Sequence, residues 1–175
     1  VPGKTRIIDF RYPAPPHAAA ERHEYLVPTD QVGEFFPRLF VDDPSAVQVA
    51  GVETVEFAGR DLFVCTHGTV DACCARFGFP LYRELHRIAA EEDDSVRVWR
   101  STHFGGHRFA ATLIDFPEGR FWGFMTPDLG RQLIARGGDV AIGDRHDVLR
   151  EDGEVGQLAD GERPFLPFLE GGVRV

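Results

Sequence analysis

Lysine is almost missing from this chain. Lys4 stands alone beside 18 arginines, and 28 acidic residues leave a formal net charge of −9. No basic run or stripe is present, which argues against duplex nucleic acid and anionic membrane surfaces as partners. Long apolar runs are missing too. Nothing approaches the roughly eighteen uncharged residues of a membrane span, and no signal-peptide core is visible, although the chain opens on Val1-Pro2 and a processed start stays open. Cysteine is scarce: three residues, all between positions 65 and 74. So few and so close, they exclude an extracellular disulfide framework and point to a reducing, cytoplasmic setting. Repeats and low-complexity tracts are absent as well.

What remains is enough for one domain. With 175 residues, 43% of them apolar, the chain can bury a core. Arg6 to Phe10 reads as a strand, and Pro13, Pro15 and Pro16 then enforce an extended loop. Asp30 to Leu39 carries a short amphipathic pattern closing on Phe35, Phe36 and Leu39. Val47 to Phe57 alternates loosely, as one or two short strands would.

From Arg60 the pattern sharpens. Leu62-Phe63-Val64 is a brief apolar run ending at Cys65, as in a buried strand that delivers a ligand at its C-terminal end. Pro80 suits the first position of a helix, and Leu81, Leu85, Ile88 and Ala89 recur at helical spacing up to an acidic stop at Glu91 to Asp94. Ser95 to Arg100 alternates Val96 and Val98 inward with arginines outward, Trp99 lying on the outer face. Phe109 to Phe116 and Arg120 to Met125 read as strands joined at Pro117-Glu118-Gly119. Thr126-Pro127-Asp128 opens a helix with Leu129, Leu133 and Ile134 as its stripe and Gly137-Gly138 as its stop. The result is an α/β core over residues 60–137. Residues 1–59 form an N-terminal extension packing on it and residues 138–175 a C-terminal tail, the whole expected as one globular unit.

Chemistry concentrates in two segments. Val64-Cys65-Thr66-His67-Gly68-Thr69-Val70-Asp71-Ala72-Cys73-Cys74-Ala75-Arg76-Phe77-Gly78 supplies thiols, and Ser101-Thr102-His103-Phe104-Gly105-Gly106-His107-Arg108-Phe109 supplies imidazoles. Cys65 and Cys74 bracket eight residues, and His103 and His107 bracket three. Two soft and two borderline donors of this kind suit an iron–sulfur or a zinc centre. Zinc knuckles favour a Cys-x₂₋₄-Cys hook, which the long Cys-to-Cys loop lacks. Phe104-Gly105-Gly106 is poor helix material, so the histidines sit on a loop whose bare N–H groups suit an acceptor such as a cluster sulfide.

These two segments and their spacing resemble the sucrase/ferredoxin-like family, in which the HxGGH segment is a hallmark, and more distantly the thioredoxin-like [2Fe–2S] ferredoxins with histidines in place of the last two cysteines. The resemblance covers about residues 60–137. It implies a thioredoxin-like fold holding a [2Fe–2S] cluster on Cys65, Cys74, His103 and His107. Cys74 is preferred to Cys73, which reads as a small buried hydrophobe. The spacing alone does not separate an iron bound by both histidines from two irons bound by one Cys and one His each; the resemblance favours the former. It also implies a one-electron carrier, a protein redox partner and a homodimer. Two imidazoles for two thiolates make the cluster less negative: Rieske centres lie at about −150 to +300 mV, against about −400 mV for plant-type ferredoxins. A free ring nitrogen that gains a proton on reduction would make the potential pH-dependent.

The neighbouring residues read more plainly. His67 is expected as an exposed loop histidine, with a hydrogen bond towards the centre as the alternative. His86, His17, His23 and His146 carry no visible chemistry. Asp71 caps the turn entering Ala72 to Phe77. Arg76 and Arg108 flank the ligands and face either the anionic centre, a partner or a surface carboxylate. Thr66 and Thr102 offer weak hydroxyl donors. The acidic surface suits a basic patch on a redox partner, as it suits many ordinary proteins.

Three other functions compete. A Cys₂His₂ zinc module would be colourless and indifferent to dithionite. A thiol oxidoreductase would want Cys-x-x-Cys after its strand, which is absent. Sucrose hydrolysis would want two carboxylates paired across a cleft, and the acidic residues here are scattered.

Overall fold

In a computed structural model, residues 2–12, 20–41, 43–92, 94–135, 148–149 and 155–156 are described. The chain divides between Ala58 and Gly59 into two compact units.

The first unit is built on an antiparallel pair, β1 (Lys4–Arg11) and β2 (Glu21–Pro28), running in register from Lys4 opposite Pro28 to Arg11 opposite Glu21. A short helix, α1 (Val32–Phe35), lies between tight 3₁₀ turns at Thr29–Gln31 and Phe36–Phe40. A two-residue strand, β3 (Glu53–Thr54), pairs with β2. Ile7, Tyr25, Val27, Phe35 and Leu39 form the core, with the Tyr25 and Phe35 rings edge to face at 5.2 Å. Phe35 and Leu39 are buried as expected, but Phe36 is exposed, because the change from α to 3₁₀ winding turns it off the stripe. Val47 ends a 3₁₀ turn, Pro44–Val47, so the expected Val47 to Phe57 strands reduce to β3.

The strand β2 was not anticipated. Its first four residues, Glu21-Arg22-His23-Glu24, read as solvated, yet Glu24 is buried between Arg6 and Arg22. A carboxylate tolerates burial when cations hold both its oxygens.

The second unit begins with β4 (Arg60–Cys65), continues through a π-turn (Cys74–Gly78) into α2 (Phe79–Glu92), and returns on β5 (Val96–Ser101). A hairpin of β6 (Leu113–Phe116) and β7 (Arg120–Trp122) precedes α3 (Pro127–Ala135). Two-residue strands β8 (Val148–Leu149) and β9 (Val155–Gly156) pair with each other. The main sheet has the order β5-β4-β6-β7, with β5 parallel to β4, β6 antiparallel to β4, and β7 antiparallel to β6. A βαβ unit joined to a ββα unit in this order is the thioredoxin fold. The α/β expectation and the thioredoxin-like core are both met.

The core of this unit is a layer of helix against sheet. Leu62, Val64, Val96, Val98 and Leu113 meet Leu81, Leu85 and Ile88 of α2 and Leu133 and Ile134 of α3. Each fully buried aliphatic contributes roughly 1.5–3 kcal/mol. Buried charges are paired: Arg60 grips Asp115 at 3.2 and 2.6 Å, and Arg97 grips Asp61 at 2.9 and 3.2 Å. Trp99 stacks on Phe63 and donates its indole N–H to Asp61 at 2.7 Å.

Pro80 does not start its helix. Helical turns are already running at Ala72, and the wider i→i+5 turn at Cys74–Gly78 lies directly before the proline. Such a turn accommodates a residue that lacks an N–H and crowds the preceding carbonyl. The strand expected from Phe109 begins only at Leu113, since His107–Phe109 forms a 3₁₀ turn. The proline loop at 13–16, the stop at Gly137-Gly138 and most of the tail lie outside the described residues.

Candidate metal centre

The end of the central strand, the start of the first core helix and the loop after β5 converge on one spot. Cys65 closes β4 and is buried. Its N–H donates to Thr112 O at 3.1 Å, and the next N–H, of Thr66, donates to Ser101 O at 3.1 Å. The end of the strand that carries Cys65 is therefore held on both sides. Cys74 reaches the same place from the helical side. Asp71 receives the Cys73 N–H at 2.7 Å on its carboxylate, while its backbone carbonyl accepts the Cys74 N–H at 3.2 Å. The cap expected at Asp71 is thus formed, and that hydrogen bond holds its carboxyl below the usual range.

Gly78 sets how closely helix and strand approach. A Cβ at this position would stand 1.9 Å from the carbonyl oxygen of Cys65. No other residue fits without moving the backbone that carries a ligand.

The imidazoles come from the loop between β5 and the 3₁₀ turn at His107–Phe109. Gly105 and Gly106 adopt φ of +96° and +73°, a left-handed run that rules out a helix through His103 and His107 and folds the loop back. His103 Nδ1 lies 3.9 Å from Cys65 Sγ and 3.6 Å from Cys74 Sγ. These three donor atoms all fall within 4.8 Å of one another, a group that could hold a metal ion. His107 stands beside them without joining that group. Its ring centroid is 5.9 Å from that of His103, its Nε2 is 4.0 Å from Asp71 Oδ2, and its side chain is 48% exposed.

The donor set fits a cationic group. Burial pushes the Cys74 thiol up to about 12, and the adjacent Cys65 adds to the shift. Two thiolates so close, with little water, need a metal's charge to exist together. Thr112 adds a further sign. It lies immediately before β6, accepts the Cys65 N–H on its carbonyl, is buried, and its hydroxyl has no partner among the described residues. A buried hydroxyl without a partner beside the cysteine strand is a donor left for a bound group.

Two readings of single residues need correction. Cys73 is exposed and not a buried hydrophobe. Consecutive residues on a helical turn point about 100° apart, so with Cys74 facing inward its neighbour faces water. His67 is half-buried and not a free loop residue: its Nδ1 accepts the backbone N–H of His103 at 3.2 Å. That bond ties the cysteine loop to the histidine loop, a role visible in sequence only as an imidazole two residues past Cys65. Thr66 Oγ1 lies 3.5 Å from both Ser101 O and Arg100 Nε, so it serves the strands. Thr102 and His86 are exposed.

Fold and site together define a thioredoxin-fold protein with a Cys₂His group able to hold a metal. The family model described as "Sucrase/ferredoxin-like" matches residues 9–150, and the chain belongs to that family. The match extends well beyond residues 60–137, where the motifs lie. "Altered inheritance of mitochondria protein 32" from Meyerozyma guilliermondii is 29% identical over 114 residues, 59% of this chain. The aligned part is 40% of that relative's length. Among solved structures, a thioredoxin-like [2Fe–2S] ferredoxin from Aquifex aeolicus is similar with a TM-score of 0.43 at 12% identity, covering 64% of this chain and 99% of that one. Its Cys55Ser variant gives 0.41 at 10% identity, covering 47% and 89%. Among the described residues, no helix is long and apolar enough to cross a membrane.

Proposed function

We propose that this chain is a one-electron carrier, not a catalyst, with a [2Fe–2S] cluster on Cys65, Cys74, His103 and His107. One observation carries the reading: two buried thiols and an imidazole converge within 4.8 Å, with a second imidazole on the same glycine-rich loop. Membership of a family described as ferredoxin-like supports it. When bound, the cluster supplies a site for one electron at a potential raised by the two neutral imidazoles.

The remaining work falls to the chain. Cys65 and Cys74 are held away from water on two backbone anchors, which limits reorganisation around the centre. His67 fixes the backbone of His103. His107 meets solvent, its Nε2 4.0 Å from Asp71 Oδ2, so a ring nitrogen that the cluster leaves free lies open to water and the potential is expected to depend on pH. A reducing, cytoplasmic compartment belongs to this reading, since three cysteines crowded between positions 65 and 74 do not make an extracellular disulfide framework.

The test is a visible spectrum of anaerobically purified protein before and after dithionite, with iron and zinc counted on the same sample. Broad absorption that bleaches, with about two irons per chain, supports the carrier. A colourless protein holding one zinc would assign the same donors to a structural site and refute it.

A further inference from the structure

Around the metal centre the surface changes character. Among the described residues of the second unit, the exposed large apolar side chains are Val70, Phe77, Phe79 and Phe124, each between 40% and 58% accessible. All belong to the site's surroundings. Val70 lies in the loop between Cys65 and Cys74, and Phe77 and Phe79 flank Gly78. Phe124 is tied to the histidine loop, its N–H donating to Phe109 O at 2.7 Å and its ring meeting Phe109 edge to face.

The arginines there are also unusual for this protein. Arg76 lies over Phe77, Arg100 over Phe79 and Arg108 over Phe109, at 5.3, 5.2 and 5.9 Å. Each stacks on an aromatic ring and none pairs with a carboxylate among the described residues. Arg87 and Arg131 on α2 and α3 are instead paired with Glu84, Glu91 and Glu92. Among the described residues, the carboxylate beside the centre is that of Asp71, which is engaged by the Cys73 N–H and faces His107.

We infer that this face docks a redox protein whose own cofactor is ringed by carboxylates around an apolar centre. The inference rests on the electron-carrier reading. A chain of net charge −9 repels such a partner on the whole, and arginines without a carboxylate partner among the described residues offset that repulsion at this face. That contrast orients the encounter so that the metal centre leads. A small apolar patch with a charged rim is the composition of weak, transient electron-transfer interfaces, which must release as readily as they bind. The acidic whole, which by itself suits a basic partner, is locally reversed.

The test measures binding of two small redox proteins to the purified holoprotein by calorimetry at low salt: a flavodoxin with an acidic rim, and the basic cytochrome c. The expected result is that flavodoxin binds, weakens as salt rises, and loses about tenfold or more in affinity with Arg100→Glu or Arg76→Glu. Arg131→Glu, an equal charge change on α3, leaves the affinity within about twofold. Equal loss with all three variants would mean that net charge alone acts and would overturn the proposal. So would failure of flavodoxin to bind, or a change of sedimentation showing that a second copy of this chain covers the face. Cytochrome c binding that is insensitive to Arg76 and Arg100 is compatible with the acidic remainder and supports the contrast. Iron content and the visible spectrum of the same sample report separately on the carrier reading, so the two can fail independently.

Discussion

Replacing Gly78 by alanine is the sharpest test of how the fold builds the site. The added carbon would stand 1.9 Å from Cys65 O and 3.1 Å from Cys65 C, both backbone atoms that cannot rotate away. Non-bonded heavy atoms settle near 3.5 Å, so helix and strand must part by about 1.5 Å. Overpacking of this kind costs about 1–3 kcal/mol, and a backbone-to-backbone clash belongs at the upper end. At roughly 2–4 °C per kcal/mol for a chain of this size, the melting temperature should fall by about 6–12 °C. Metal retention should fall with it, because the same movement separates Cys65 from Cys74. Gly33→Ala is the control: a Cβ there meets nothing within 4 Å, and alanine in α1 should be neutral or slightly stabilising. Calorimetric unfolding and metal analysis of both variants decide the matter. A Gly78→Ala protein melting within about 1 °C of the parent, with full metal, would refute the close approach.

Other outcomes follow from the same geometry. Cys74→Ser should abolish metal binding while Cys73→Ser keeps it, as metal analysis would show; equal loss from both would overturn the choice of ligand. His67→Ala should weaken metal retention about 10–100-fold in a chelator competition, and His67→Asn, which restores an acceptor for the His103 N–H, should recover part of it. His107→Cys should lower the reduction potential and flatten its pH dependence in a voltammetric titration, and an unchanged potential would exclude His107 as a ligand. Arg60→Met should cost about 3–5 kcal/mol at neutral pH by stranding Asp115. Burial already pushes the Asp115 carboxyl up and Arg60 opposes it, so without Arg60 it rises further. A raised folded-state value means that ionisation opposes folding: the deficit should be full above that value and shrink as pH falls through it. Denaturant unfolding across acid to neutral pH checks the sign.

Much of this protein was written locally. The β4 strand, the helix through Leu81, Leu85 and Ile88, the β5 alternation and the α3 stripe follow from period and burial, which neighbours along the chain suffice to express. Cys65, Cys74 and His103, singled out by their spacing, are the three that the structure brings within 4.8 Å of one another. The rest needed the third dimension. Strand β2 is hidden by Glu24, whose burial is tolerated only because Arg6 arrives from the paired strand. Whether Cys73 or Cys74 faces inward depends on which side of the helical turn Gly78 presses against β4. His67 acquires its task only when the loop after β5 folds over it. The arginine rim exists because no carboxylate of the described residues reaches it. Sequence periodicity records which residues leave water, whereas pairing between distant segments decides what they meet there, and that is fixed only when the chain closes on itself.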